Sequence, residues 1–142
     1  PDPNPSASAQ HGKNVFASVG CALCHTQQMV TAPVMNSPVL QNRPVALFSD
    51  MMVHHMGGKL ADDIIQSQAW PDEFRTTPLW GVGQRIFFLH DGRTSDLLEA
   101  IRAHQSGESE RYPASEANQV IRNVNQLSPT DRQAVLDFLR SL

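Results

Sequence analysis

Cys21-Ala22-Leu23-Cys24-His25 is the densest concentration of chemistry in this chain: two thiols separated by two residues, with an imidazole directly after the second. That spacing suits covalent attachment of a c-type haem. Each thiol can form a thioether to a vinyl group of the porphyrin, and the adjacent histidine then reaches the iron as proximal ligand. Two other chemistries use Cys-x-x-Cys. A thioredoxin-like redox pair sits at a strand-to-helix turn in an α/β chain, and no run of strand-forming residues surrounds this motif. Half of a zinc site needs further ligands at knuckle spacing, and the chain holds only 2 cysteines. The expected cofactor is one covalent haem c, held by Cys21, Cys24 and His25.

The second axial position decides what such an iron can do. Two strong side-chain ligands make an electron carrier, whereas an open face binds peroxide or oxygen. The stretch Phe48-Ser49-Asp50-Met51-Met52-Val53-His54-His55-Met56-Gly57-Gly58 is rich in candidates, and His90 and His104 lie further on. His104 ends an apolar stripe through Leu97 and Ile101 at helical spacing, where a rigid wall could face the haem. Met56 is the best placed of the loop methionines, although methionine is also a common gap filler. The residues alone leave both open. Arg75, Arg85 and Arg93 could each meet a haem propionate, because a buried carboxylate needs a charge-assisted partner. Arg75 and Trp80 are the candidates chosen for haem contact, with loop anchoring as the plainer role of each.

These residues must be held by a small number of helices. Ser6 or Ser8 can cap a helix carrying Val15, Phe16 and Val19 on one face and stopped by Gly20, which delivers the chain into the motif. From Thr26 to Phe48, Pro33, Pro38 and Pro44 break any period and predict a wrapping loop with at most short strands. Leu60 to Gln68 is compatible with a short helix, and Phe74 to Gly81 reads as a loop. After His90-Asp91-Gly92, Thr94 or Ser95 caps a helix closed by Gly107. Val120, Val124 and Leu127 mark another. Ser128-Pro129-Thr130-Asp131 starts the last, whose buried face is Val135, Leu136, Phe138, Leu139 and Leu142. The predicted fold is all-α, a cytochrome c-like helical domain with long irregular loops, in which the first and last helices cross.

At 142 residues the chain is expected to be one domain with a real core. Residues 1–7, with alternating prolines at Pro1, Pro3 and Pro5, read as a linker or N-terminal extension, and 8–142 as the cytochrome c domain. The net charge of -3 argues against nucleic acid, and no basic run suits a membrane surface. No apolar run approaches the roughly 18 residues that span a bilayer. Haem attachment implies a periplasmic or otherwise extracytoplasmic location.

Three stretches, Phe74-Arg75-Thr76-Thr77-Pro78-Leu79-Trp80-Gly81, Leu89-His90-Asp91-Gly92-Arg93 and Leu98-Glu99-Ala100-Ile101-Arg102-Ala103-His104, resemble the C-terminal haem domain of bacterial di-haem oxidoreductases. This is a group of thiol oxidoreductases or peroxidases related to bacterial cytochrome c peroxidases. The segments from Ser49 to Gly57, from Leu60 to Asp62 and from Leu127 to Leu142 share the likeness, which runs from about Gln10 to Leu142. In the peroxidases, the helix after the corresponding His-x-Gly turn carries the distal methionine of the electron-transferring haem. The matching position here is His104, so the resemblance implies His25 and His104 on the iron, with Met56 as the alternative. Two departures stand out: the full enzymes carry two haem motifs where this chain has one, and Trp80 replaces an arginine of the peroxidases. The function expected is electron transfer through one haem, with redox proteins, or an upstream haem domain, as partners. The alternative is the electron-transfer or catalytic portion of a di-haem oxidoreductase or peroxidase.

Overall fold

The computed structural model describes residues 2–33 and 37–142, so part of the irregular stretch expected between Thr26 and Phe48 lies outside the described residues, as does Pro1. The chain opens with helix α1 (Ala7–Val19), for which Ser6 is the cap: its side chain accepts from the Ala9 N–H at 3.1 Å. Gly20 ends the helix at φ 106°, a left-handed conformation that costs glycine little. The last helix, α4 (Pro129–Arg140), starts as its residues predict, with Ser128 accepting from the Asp131 N–H at 3.1 Å and proline in the first turn.

Helices α1 and α4 cross at Gly12, which lies against the Ala134 backbone so closely that a Cβ there would be 1.8 Å from the Ala134 carbonyl oxygen. Around this crossing, Val15, Phe16 and Val19 pack with Val135, Phe138 and Leu139. Phe16 and Phe48 meet Phe138 edge-on, with ring centroids 5.3 and 5.6 Å apart. Burial of apolar surface by this cluster is the main force holding the ends of the chain together. Helix α3 (Asn118–Gln126) adds Val124 to the cluster, and its Ile121 is also buried.

The all-α expectation is not met. Besides the helices, the described residues form two small antiparallel sheets, so the fold is mixed helix and sheet. Strand β1 (Met29–Val30) pairs with β2 (Pro44–Val45), and β3 (Val53–His55) pairs with β4 (Glu73–Arg75) in the register Val53 to Arg75 and His55 to Glu73. The loops are long enough to fold back on themselves. Pairing two extended segments satisfies backbone groups that a wrapping loop would otherwise leave to water, and β-branched Val30, Val45 and Val53 suit that geometry.

Other expectations need local correction. Residues 60–68 form no helix: Asp63 and Ser67 have φ of 61° and 60°, and the Asp62 side chain accepts from the Ile64 N–H, offering a turn in place of a helical bond. Phe74 and Arg75 belong to β4 rather than to a loop. Helix α2 (Leu97–Arg102) is capped by Asp96, whose carboxylate accepts from Leu98 and Glu99, and not by Thr94 or Ser95. It is short and ends well before Gly107, so His104 lies beyond its last turn. Among the described residues, no helix is long and apolar enough to cross a membrane.

Candidate functional site

The left-handed Gly20 turns the chain out of α1 directly into a single 3₁₀ turn, Cys21–Leu23, and the His25 N–H closes it on the Cys21 carbonyl at 2.9 Å. Cys21 and Ala22 lie against the apolar cluster, whereas Leu23 points outward and is 76% exposed. Both cysteines are free thiols, partly buried. Burial pushes the Cys21 thiol up to about 12. The Cys24 thiol is also raised, first by burial and then by the Asp50 and Glu116 carboxylates. A redox-active Cys-x-x-Cys needs a lowered thiol, so this environment does not suit thioredoxin-like exchange.

The His25 ring lies beside Phe16, with centroids 6.2 Å apart, and its Nδ1 is 3.0 Å from the Phe48 carbonyl oxygen. A carbonyl can only accept, so Nδ1 carries the proton and Nε2 keeps its lone pair. His104 repeats the arrangement: its Nδ1 donates to the Ala100 carbonyl at 2.9 Å, one turn back along α2. Burial holds both imidazoles below the usual histidine range, while their carbonyl partners act in the opposite direction. Two neutral imidazoles result. Each is oriented by a backbone carbonyl, the support that metal-bound histidines typically have.

The remaining candidates are engaged elsewhere. His54 is held between two carboxylates, with Nε2 2.9 Å from Asp50 and Nδ1 2.7 Å from Glu116. Its partial burial opposes a charge, but the two carboxylates outweigh that and raise its pKa. His55 contacts the fully buried Asp72 at 2.9 Å. His90 stacks on Phe74, with centroids 4.5 Å apart. Met56 is buried, outside the apolar cluster that receives Cys21, and its N–H bonds the Asp72 carbonyl. Met51 and Met52 are exposed.

Arg75 and Trp80 each contact a loop residue. An Arg75 guanidinium nitrogen is 3.4 Å from the Met51 sulfur, and the Trp80 indole N–H donates to the Ala46 carbonyl at 2.6 Å. Sequence reasoning missed Asp50, Asp72 and Glu116 as partners of the paired histidines. Two adjacent histidines are a signal that carboxylates could be near, but nothing local says which. Cys24, Asp50 and His54 also place one ligand atom each within 4.8 Å of one another, compact enough for a metal ion. That use and thioether formation exclude each other at Cys24.

The donor set fits a c-type haem: two thiols at attachment spacing and two neutral imidazoles with free Nε2 lone pairs. Such a group, when bound, supplies an iron that gains and loses one electron. A comparison with protein families finds a match to the family model described as "Di-haem oxidoreductase, putative peroxidase" over residues 4–142. No curated protein and no solved structure matches the chain. Since the family match spans nearly the whole sequence, Cys21 to His25 included, the chain belongs to the di-haem oxidoreductase family.

Proposed function

We propose that this chain is a mono-haem c-type cytochrome domain that transfers electrons, with Cys21 and Cys24 as the attachment residues and His25 and His104 as the axial ligands. The observation that carries the reading is the matched state of the two histidines. Each donates Nδ1–H to a main-chain carbonyl, at 3.0 Å for His25 and 2.9 Å for His104. Each therefore presents a lone pair on Nε2. Occupation of both axial positions by side chains favours electron exchange over substrate binding at the iron. Bis-imidazole ligation also implies a lower potential than histidine with methionine, because a thioether stabilises the reduced metal.

Redox proteins are the natural partners, an upstream haem domain among them, and an exported location follows from how thioethers to haem are made. Correspondence to the C-terminal haem domain of the di-haem enzymes, and kinship with bacterial cytochrome c peroxidases, belong to the same reading.

A second reading is favoured by the family match itself. In it, the chain is the donor or catalytic portion of a di-haem oxidoreductase or peroxidase, and Met56 or an open face replaces His104. Ferric absorption spectra of the exported, haem-loaded chain separate the two. A low-spin spectrum indifferent to peroxide, converted to high spin with a raised potential by His104→Ala, supports electron transfer. Retention of the low-spin form in His104→Ala, together with its loss in Met56→Ala, refutes the ligand assignment. A high-spin parent spectrum that changes on adding peroxide supports the enzyme.

A further inference from the structure

We propose that His54 and Glu116 are positioning residues for the sixth ligand, forming a brace that ties the segment bearing His104 to the chain beside Cys24. The inference rests on the reading of His104 as an axial ligand. Helix α2 stops at Arg102, so helical geometry alone does not hold His104 where it lies. Its ring is fixed to Ala100 and its N–H to the Ile101 carbonyl at 3.2 Å, but its own carbonyl opens the irregular segment that leads to α3, and bonds outside α2 hold that side.

The structure supplies them in an unbroken series. The Ser115 hydroxyl donates to the His104 carbonyl at 2.6 Å, and the Ser115 N–H donates to the Ser106 carbonyl at 3.0 Å. Both serines are buried. The next residue, Glu116, clasps β3 from three directions. Its N–H donates to the His55 carbonyl at 2.9 Å, one carboxylate oxygen accepts from the His55 N–H at 3.0 Å, and the other meets His54 Nδ1 at 2.7 Å. His54 passes the connection on through Nε2 to Asp50 at 2.9 Å, and the Asp50 N–H donates to the Cys24 carbonyl at 2.8 Å. The His54 ring also lies 3.9 Å from the Cys24 sulfur.

A histidine between two carboxylates, which only accept, is an imidazolium, and charge-assisted bonds of this kind are stronger than neutral ones. Removing that cation leaves Asp50 and Glu116 facing each other with like charge. Glu116 then turns to water and releases the His55 N–H, and the anchor adjoining Ser115 is left with its main-chain bond to the His55 carbonyl. The iron would keep its proximal ligand and lose part of its hold on His104.

Cyanide binding to the ferric, haem-loaded chain reads that hold directly. Cyanide must displace the sixth ligand, so its apparent affinity scales with the fraction of molecules in which that ligand has let go. His54→Ala and Glu116→Ala are each expected to bind cyanide about tenfold more tightly than the parent, the effect of roughly 1.4 kcal/mol in ligation. The double variant should gain little over either single one, because both act through one brace. Glu116→Gln keeps an oxygen for the His55 N–H and should show a smaller rise. This variant gives the answer if the alanine variants fail to take up haem. His11→Ala, which removes an exposed histidine–aspartate contact with Asp131 elsewhere in the fold, should leave cyanide affinity unchanged. Parent-like cyanide affinity in the His54 and Glu116 variants overturns the brace alone. If His104→Ala binds cyanide no more readily than the parent, the ligand reading falls and takes the brace with it.

Discussion

Replacing Gly12 by alanine tests the close approach of α1 and α4. The added Cβ would lie 1.8 Å from the Ala134 carbonyl oxygen and 2.9 Å from the Val135 nitrogen, where side-chain carbons essentially never approach below 3.0 Å. Reaching even that limit requires the helices to separate by about 1.2 Å at the crossing. Both obstructing atoms are backbone within a capped helix, so no rotamer change relieves the clash. Overpacking of this kind costs about 1–3 kcal/mol, and a rigid neighbour places it at the upper end. Alanine recovers about 1 kcal/mol as the better helix former. A net loss of about 2 kcal/mol remains, and for a domain of this size it lowers the melting temperature by roughly 6–10 °C. Thermal unfolding of the haem-loaded chain, followed by far-UV circular dichroism, measures it. Gly107→Ala is the control: a Cβ there meets nothing within 4 Å, and its φ is not positive, so its melting temperature should match the parent or slightly exceed it. If Gly12→Ala melts as high as the parent, the helices do not touch in the way described.

Phe138→Ala should cost more, about 3–5 kcal/mol, because it empties the place where Phe16 and Phe48 converge; chemical denaturation with an unchanged slope is the measurement. The Asp131 carboxyl is held below its ordinary 3.8 by hydrogen bonds from His11 and Ser128. A depressed carboxylate contributes stability that is fully present above its unfolded value and is lost as pH falls through the folded one. Acid titration should therefore unfold His11→Ala at a higher pH than the parent, and coincident acid curves would count against the contact. Trp80→Phe removes the indole bond to the Ala46 carbonyl, for an expected loss of about 0.5–1.5 kcal/mol. The visible spectrum should not change, and a shifted spectrum would place Trp80 at the haem instead.

Much of the architecture was legible because its instructions are local. Ser6 and Ser128 bond to N–H groups three residues ahead, and Gly20 stops α1 where a left-handed residue is needed, so the ends of both crossing helices can be read within a few residues. The attachment motif is likewise contained in five consecutive positions. The place and pairing of the strands were not legible, although short strands were allowed between Thr26 and Phe48. Two- and three-residue pairs carry too few alternations to show a period, and they form only when distant loop segments meet. The α2 cap went to Asp96 while Thr94 Oγ1 accepts from the Asp96 N–H, a competition between neighbouring residues that spacing alone does not resolve.

What the sequence by itself determined is the chemistry that can occur: two thiols and a histidine at attachment spacing, a small set of further iron ligands, and helices to carry them. Tertiary structure gave those candidates different hydrogen-bond partners. His54 is withdrawn by Glu116, which is 62 residues away, and His55 by Asp72, whereas His25 is turned by the carbonyl of Phe48, 23 residues away. The physical reason is that a histidine's role depends on what binds its other nitrogen. That partner is brought by the fold from a distance along the chain at which no residue pattern records it.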